Sequence, residues 1–173
     1  MQFYSDDAIL LDGLTQFVEV ALNAGNAAIV VATESHRDRL LLRLQAHGLD
    51  VASAIEEGRY IALDAADVLP TFMVNGMLDP VLFLEGFSKL ILKAANASKR
   101  EHPYVAVFGE GADLLWKHGN VEAAIQDEKL CNELTKRYDV DILCGYSLGS
   151  AEAGMDNDVF QRICAEHSAV SSR

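Results

Sequence analysis

The chain has 173 residues, a formal net charge of −12, half of its residues hydrophobic and 23 % charged. That size fits one domain able to bury most of its unfolded surface, and the composition excludes a disordered chain, a collagen and a disulfide scaffold. The acidic balance, without a Lys/Arg cluster, disfavours nucleic acid and anionic membrane surfaces as direct partners.

Strand and helix alternate along the chain. Phe3 and Tyr4 end an apolar segment that starts at or before the first residue, and Ser5, Asp6 and Asp7 supply caps for a helix. Its apolar face is Leu10, Leu14, Phe17, Val18, Ala21 and Leu22, at a 3.6-residue period, and Gly25 stops it. Residues 27–32 are continuously apolar, as in a parallel strand buried on both faces. Thr33-Glu34-Ser35 opens a second helix, carrying Leu40, Leu41 and Leu44 and closed by Gly48. A short helical piece over 51–57 precedes a strand over 60–63. A helix is expected over 65–74, with Pro70 inside it at a loosely defined boundary.

Asp79-Pro80 pairs a cap with proline at the first helical position. The helix it starts runs to about residue 97, with Leu82, Phe83, Phe87, Leu90 and Ile91 expected inward. A strand over 104–108 leads through Gly109-Glu110-Gly111 into a helical turn with Leu114, Leu115 and Trp116. A long helix over 121–138, a strand over 140–146 and an amphipathic helix over 157–168 complete the chain. This order predicts a single α/β domain spanning residues 1–173: three layers, a mostly parallel sheet and helices on both faces.

Ligands of such sheets bind beyond the carboxyl ends of the strands. Here those ends are Tyr4 to Asp7, Thr33 to Arg37, Asp64, Gly109 to Gly111, and Tyr146 to Ser147. No glycine is followed by lysine, so there is no G-x-x-x-x-G-K-[ST] phosphate loop. The segment before the first helix places two carboxylates where a phosphate would sit, which argues against ordinary triphosphate binding. Gly109-Glu110-Gly111 begins like a dinucleotide fingerprint, but Leu114 holds the third glycine position. Glu110 at a strand end suits a ligand acceptor or a cap for Ala112 and Asp113.

Gly145-Tyr146-Ser147-Leu148-Gly149 matches a nucleophile elbow, with Asp156 or Asp158 and His167 following in hydrolase order. Only 26 residues follow Ser147, however, too few for the strands that normally carry the acid and base. His36 lies in an expected ligand-facing loop, whereas His47 and His118 precede glycines at helix ends. No His/Cys/Asp spacing resembles a metal site, and no cofactor is expected. No apolar run approaches the roughly 20 residues of a membrane span. The acidic start lacks the basic region of a signal peptide. Cys131, Cys144 and Cys164 form no Cys-x-x-Cys pair and read as reduced thiols of a cytoplasmic protein.

Several separate segments together resemble one family. They are Gln2-Phe3-Tyr4-Ser5-Asp6-Asp7; Ile29-Val30-Val31-Ala32-Thr33 with His36; Gly58-Arg59-Tyr60 with Leu63-Asp64-Ala65; Phe72-Met73 with Gly76; Phe108-Gly109-Glu110 before Leu114-Leu115-Trp116; and Asn132-Glu133-Leu134 with Leu143-Cys144. Over nearly the whole chain they are similar to the MEDS domain, the sensory domain of methanogens, methylotrophs and the dichloromethane regulator.

The resemblance implies a relative of the RecA/KaiC ATPase core, a P-loop NTPase fold without a functional P-loop. Ser5-Asp6-Asp7 would stand in the place of the phosphate loop. It further implies a non-enzymatic sensory domain that binds a small organic ligand and regulates a separate histidine kinase or transcription regulator. Tyr4, Ser5, Asp6, Thr33, His36 and Glu110 are the residues expected to line the pocket. Two alternatives remain: a protein-interaction or homo-oligomerising module using Trp116 and the last helix, and a residual hydrolase or ATPase-like activity through Ser147 or Glu110.

Overall fold

The structure is a computed structural model that describes residues 2–147, 161–163, 165 and 171–172. In chain order the elements are β1 (Gln2–Tyr4), α1 (Asp7–Asn23), β2 (Ala27–Ala32), α2 (Glu34–Ala46), α3 (Val51–Glu56), β3 (Tyr60–Asp64), α4 (Ala65–Phe72), β4 (Met73–Val74) and β5 (Met77–Leu78). There follow α5 (Pro80–Ala97), β6 (Val105–Gly109), α6 (Gly111–Lys117), α7 (Val121–Arg137), β7 (Val140–Ser147) and β8 (Ser171–Ser172).

The main sheet has the order β3-β2-β6-β7-β1-β8, with every neighbouring pair parallel. Parallel pairing needs crossovers, and these put helices on both faces. On one face Leu10, Leu14 and Val18 of α1, Leu40 and Leu44 of α2, and Val51 and Ala54 of α3 pack against Ala28, Val30 and Phe108. On the other, Phe72 of α4, Phe83, Phe87 and Ile91 of α5, and Leu130 and Leu134 of α7 pack against Ile29, Val31 and Val107. The strand β2 is buried along its whole length, as its unbroken apolar run requires. This is the predicted three-layer α/β arrangement.

Caps fall largely where the sequence places them. Asp6 accepts the Ala8 N–H at 2.7 Å, and Asp79 accepts those of Val81 and Leu82 at 2.9 and 3.0 Å, with Pro80 opening α5. Two expectations fail. The helix expected over 65–74 stops at Phe72, and Met73–Val74 instead pair antiparallel with Met77–Leu78. Asn75 and Gly76 both have positive φ, 51° and 80°. That is the two-residue turn for which Asn-Gly is the usual sequence, so the local turn outweighs continuation of a helix already carrying Pro70.

Leu82, expected inward, is exposed. Phe83, Phe87, Ile91 and Ala94 take the inner face of α5 and turn Leu82 outward. Of the helix expected over 157–168, residues 161–163 and 165 are helical and Ile163 is buried; the remainder, with Val159, Phe160 and Cys164, lies outside the described residues. The parallel strand β8 beside β1 has no counterpart in the sequence reading.

Candidate functional site

The chain leaves β2 toward β3 through α2 and α3 on one face, and leaves β6 toward β7 through α6 and α7 on the other. The carboxyl ends of β2 and β6 are therefore a switch point, where the connections diverge and a crevice opens. Glu110 follows β6 directly, and its backbone N–H donates to Val31 of β2 at 3.0 Å. Its side chain ties the end of β6 to the start of α2. Oε2 accepts the Thr33 N–H at 2.8 Å, and Oε1 accepts from His36 Nδ1 at 2.5 Å. Glu110 is only 2 % exposed. It makes no side-chain cap to α6, so of its two sequence readings the capping one fails.

His36 is in the first turn of α2 and not in a loop. Its position is buried, and its Nε2 lies 3.5 Å from Asp7. The hydrogen bond to Glu110 raises the imidazole pKa above its ordinary 6.5; burial opposes this, and the charges of Glu110 and Asp7 reinforce it. The ring of Tyr4 meets the imidazole edge-on, with centroids 6.3 Å apart. Burial, and then the negative charges of Glu110, Asp113 and Asp7, push the Tyr4 hydroxyl far up, so it stays a neutral donor.

Of the six expected site residues, Tyr4, Thr33, His36 and Glu110 thus form one contiguous cluster. Ser5 and Asp6 stand exposed at the start of α1, with Asp6 engaged in its cap. Further acids along this carboxyl edge are matched with cations. Arg37 donates to Asp64 at 2.7 Å, Arg39 to Asp7 at 3.0 Å, and Lys117 lies 2.7 Å from the buried Asp113. Asp113 also accepts the Ser147 N–H at 3.3 Å, tying α6 to the end of β7. Sequence reasoning missed Asp113; the signal was an acid in the first turn of a helix that follows directly on a strand end. Two buried polar atoms of α2 and β3, Arg37 Nε and the Tyr60 hydroxyl, have no partner among the described residues.

A second polar cluster lies on the opposite face. Glu128 of α7 accepts from the Tyr146 hydroxyl, and from Cys144 Sγ at 3.2 Å. Beside it Asp127 lies 4.0 Å from Cys131 Sγ. Burial first, and the neighbouring Glu128 second, push the Asp127 carboxyl well up. For the Cys131 thiol the Cys144 side chain pulls down, but burial and the two carboxylates win and place it at about 11. Such a thiol is not an activated nucleophile.

Asp127 and Cys131 also border a cavity of about 30 Å³ under Phe72, Phe83 and Phe87, room for a water molecule or two. Gly109 forms part of its wall, and a Cβ there would meet open space. The loop Gly109-Glu110-Gly111 therefore borders this cavity through its two glycines while Glu110 bonds Thr33 and His36.

Ser147 ends β7, paired in register with Tyr4. Leu148, Gly149, Asp156, Asp158 and His167, which an elbow would need, lie outside the described residues. Gly145 has a packing reason of its own, because a Cβ there would fall 2.9 Å from the Phe108 ring. Trp116 is half-buried and edge-on to Tyr146 at 6.0 Å. Among the described residues no group of three His, Cys, Asp or Glu side chains is placed to hold a metal ion, and no helix is long and apolar enough to cross a membrane.

Residues 1–162 match the family described as MEDS, the MEthanogen/methylotroph, DcmR Sensory domain. Among curated proteins none matches the chain. Since the match spans most of the sequence, from the first strand past the last long one, the chain belongs to the MEDS family of sensory domains.

Proposed function

We infer that the chain is a cytoplasmic sensory domain that binds a small organic molecule in the crevice between the carboxyl ends of β2 and β6. It reports occupancy to a signalling output, a histidine kinase or a transcription regulator, and catalyses no reaction. Family membership supports the sensory role. The observation that carries the site is Glu110, a buried carboxylate at the switch point whose two oxygens hold the start of α2 through Thr33 and His36.

A ligand with a hydrogen-bond donor competes for that carboxylate. As it binds, it loosens Thr33 and His36 and so shifts α2, which is a way to turn occupancy into movement. Tyr4 supplies an aromatic wall, Thr33 and Ser5 supply hydroxyls, and the free edge of Asp6 favours a donor or cation over a phosphate. The loop Tyr4–Asp7 has no glycine for close backbone approach and carries two acids, which is why nucleotide hydrolysis is not part of this reading.

The test is native mass spectrometry of the freshly purified protein, followed by a thermal-shift screen of nucleotides and small metabolites on the wild type and on Glu110→Gln. A compound that binds the folded state stabilises it by about 2.7 kcal/mol at a hundredfold excess over Kd. The reading expects a non-nucleotide hit whose shift collapses in Glu110→Gln while the variant stays folded. A shift with ATP and Mg²⁺ would overturn it, as would a hit that the Glu110 substitution leaves unchanged.

A further inference from the structure

The outer face of α5 carries a pattern that neither the core nor the crevice uses. Val81, Leu82 and Leu92 are 62, 45 and 49 % exposed. The exposed large apolar side chains of the first three helices stand singly, Val20 on α1, Leu42 on α2 and Ile55 on α3, which is ordinary for a protein surface. On α5 the three follow one helical face together with Glu85 and Lys89, above a shallow groove that includes Leu84, Ser88 and Arg137.

The spacing of this face is self-complementary. Leu82 and Leu92 are equidistant in sequence from Phe87, and so are Glu85 and Lys89. We propose that α5 is a two-fold homodimer interface, in which the helices of two copies pack antiparallel about Phe87. Leu82 then meets Leu92 of the second copy, and Glu85 meets Lys89 of the second copy, each contact made twice, as an isologous interface demands.

Within one chain Glu85 and Lys89 lie 3.9 Å apart with 64 and 80 % of their side-chain surface exposed. Such a pair is weakly held and free to exchange partners. The charges of this face, Glu85, Lys89 and Lys93, lean basic in a chain of net charge −12, so the general repulsion between two acidic copies is not concentrated here. A second copy is the occupant that these two mirrored pairs fit; Val81, whose mirror position is Lys93, then lies at the rim against the aliphatic stem of that lysine.

Sedimentation velocity of the full chain over a range of concentrations tests this, on the wild type, Glu85→Lys, Lys89→Glu and the double variant. Both substituted positions are exposed, and circular dichroism checks that each variant is folded. The wild type is expected to show a reversible monomer–dimer equilibrium. Either single reversal sets like charges opposite each other twice and should weaken dimerisation about tenfold or more. The double variant restores opposite charges and should return to the wild-type constant. Leu92→Glu, which buries a charge in the apolar contact, should leave only monomer. A wild type that stays monomeric throughout overturns the proposal. So does a dimer indifferent to the single reversals, or a double variant that fails to recover.

Discussion

Glu110 and Glu128 are buried glutamates on opposite sides of one sheet, and their surroundings differ in kind. Around Glu110 the partners are a backbone N–H and an imidazole whose protonated form the carboxylate favours. Around Glu128, donors among the described residues include a hydroxyl and a thiol, and the next acid, Asp127, is driven toward its neutral form by burial. The first cluster lies at strand ends, where the proposed ligand would compete for the carboxylate. The second lies under the aromatic side chains of α4 and α5, beside a cavity with room for water only. A buried acid at strand ends beside a titratable partner is a candidate functional group; in a core it can equally be a packed structural group.

The largest effect should come from breaking the charged cluster. Glu110→Ala strands both the Thr33 N–H and a buried His36, and urea unfolding should show a loss of about 3 kcal/mol or more. Glu110→Gln keeps an acceptor and should cost clearly less; equal losses would mean that the charge contributes nothing. Next comes the cluster around Glu128. Tyr146→Phe removes the hydroxyl that Glu128 accepts from and should cost about 1–3 kcal/mol. Asp127→Asn should cost about 1 kcal/mol or less at acid pH, where the carboxyl is already protonated.

The pH dependence separates the two clusters further. Both His36 and Asp127 have folded pKa values raised above their unfolded ones, so each favours the folded state most at low pH and loses that contribution as pH rises. The windows differ in where they begin. For Asp127 the loss starts near 3.8 and for His36 near 6.5, each continuing through the raised folded value. Stability measured against pH should therefore fall less steeply with rising pH in the acid range in Asp127→Asn and above neutrality in His36→Gln, each compared with the wild type. The two slopes eased by the same variant would contradict the separation. The smallest effect expected is Gly109→Ala. Its methyl enters open space, and replacing a strand glycine should stabilise by about 0.5–1 kcal/mol, read as a small rise in Tm.

How much of this was legible in the sequence follows from what each residue reports locally. The run Ala27–Ala32 has no polar interruption, and only a strand buried on both faces accommodates it. Asp79-Pro80 states its own helix start. Glu110 could be placed at a strand end, but its choice of Thr33 and His36 over α6 depends on how β2 and β6 pair, which is not a local property. The hairpin was legible in Asn75-Gly76 and was masked by the apolar residues around it.

Asp127 and Glu128 were not singled out, because an acid pair beside Lys129 reads as a solvated helix face. The available signal was register: Ala123, Asp127, Leu130 and Leu134 share one helical stripe, so an acid there had to be buried. Leu82 was placed inward by its apolarity alone, although Phe83 and Phe87 already fix the buried face.

The measurement that bears most directly on the crevice is the titration of the His36 imidazole by NMR, in the wild type and in folded Glu110→Gln. If the Glu110 carboxylate holds the charged imidazole, His36 titrates above 6.5 in the wild type and falls back toward or below it in the variant. An imidazole that titrates at its ordinary value in both proteins would contradict the account.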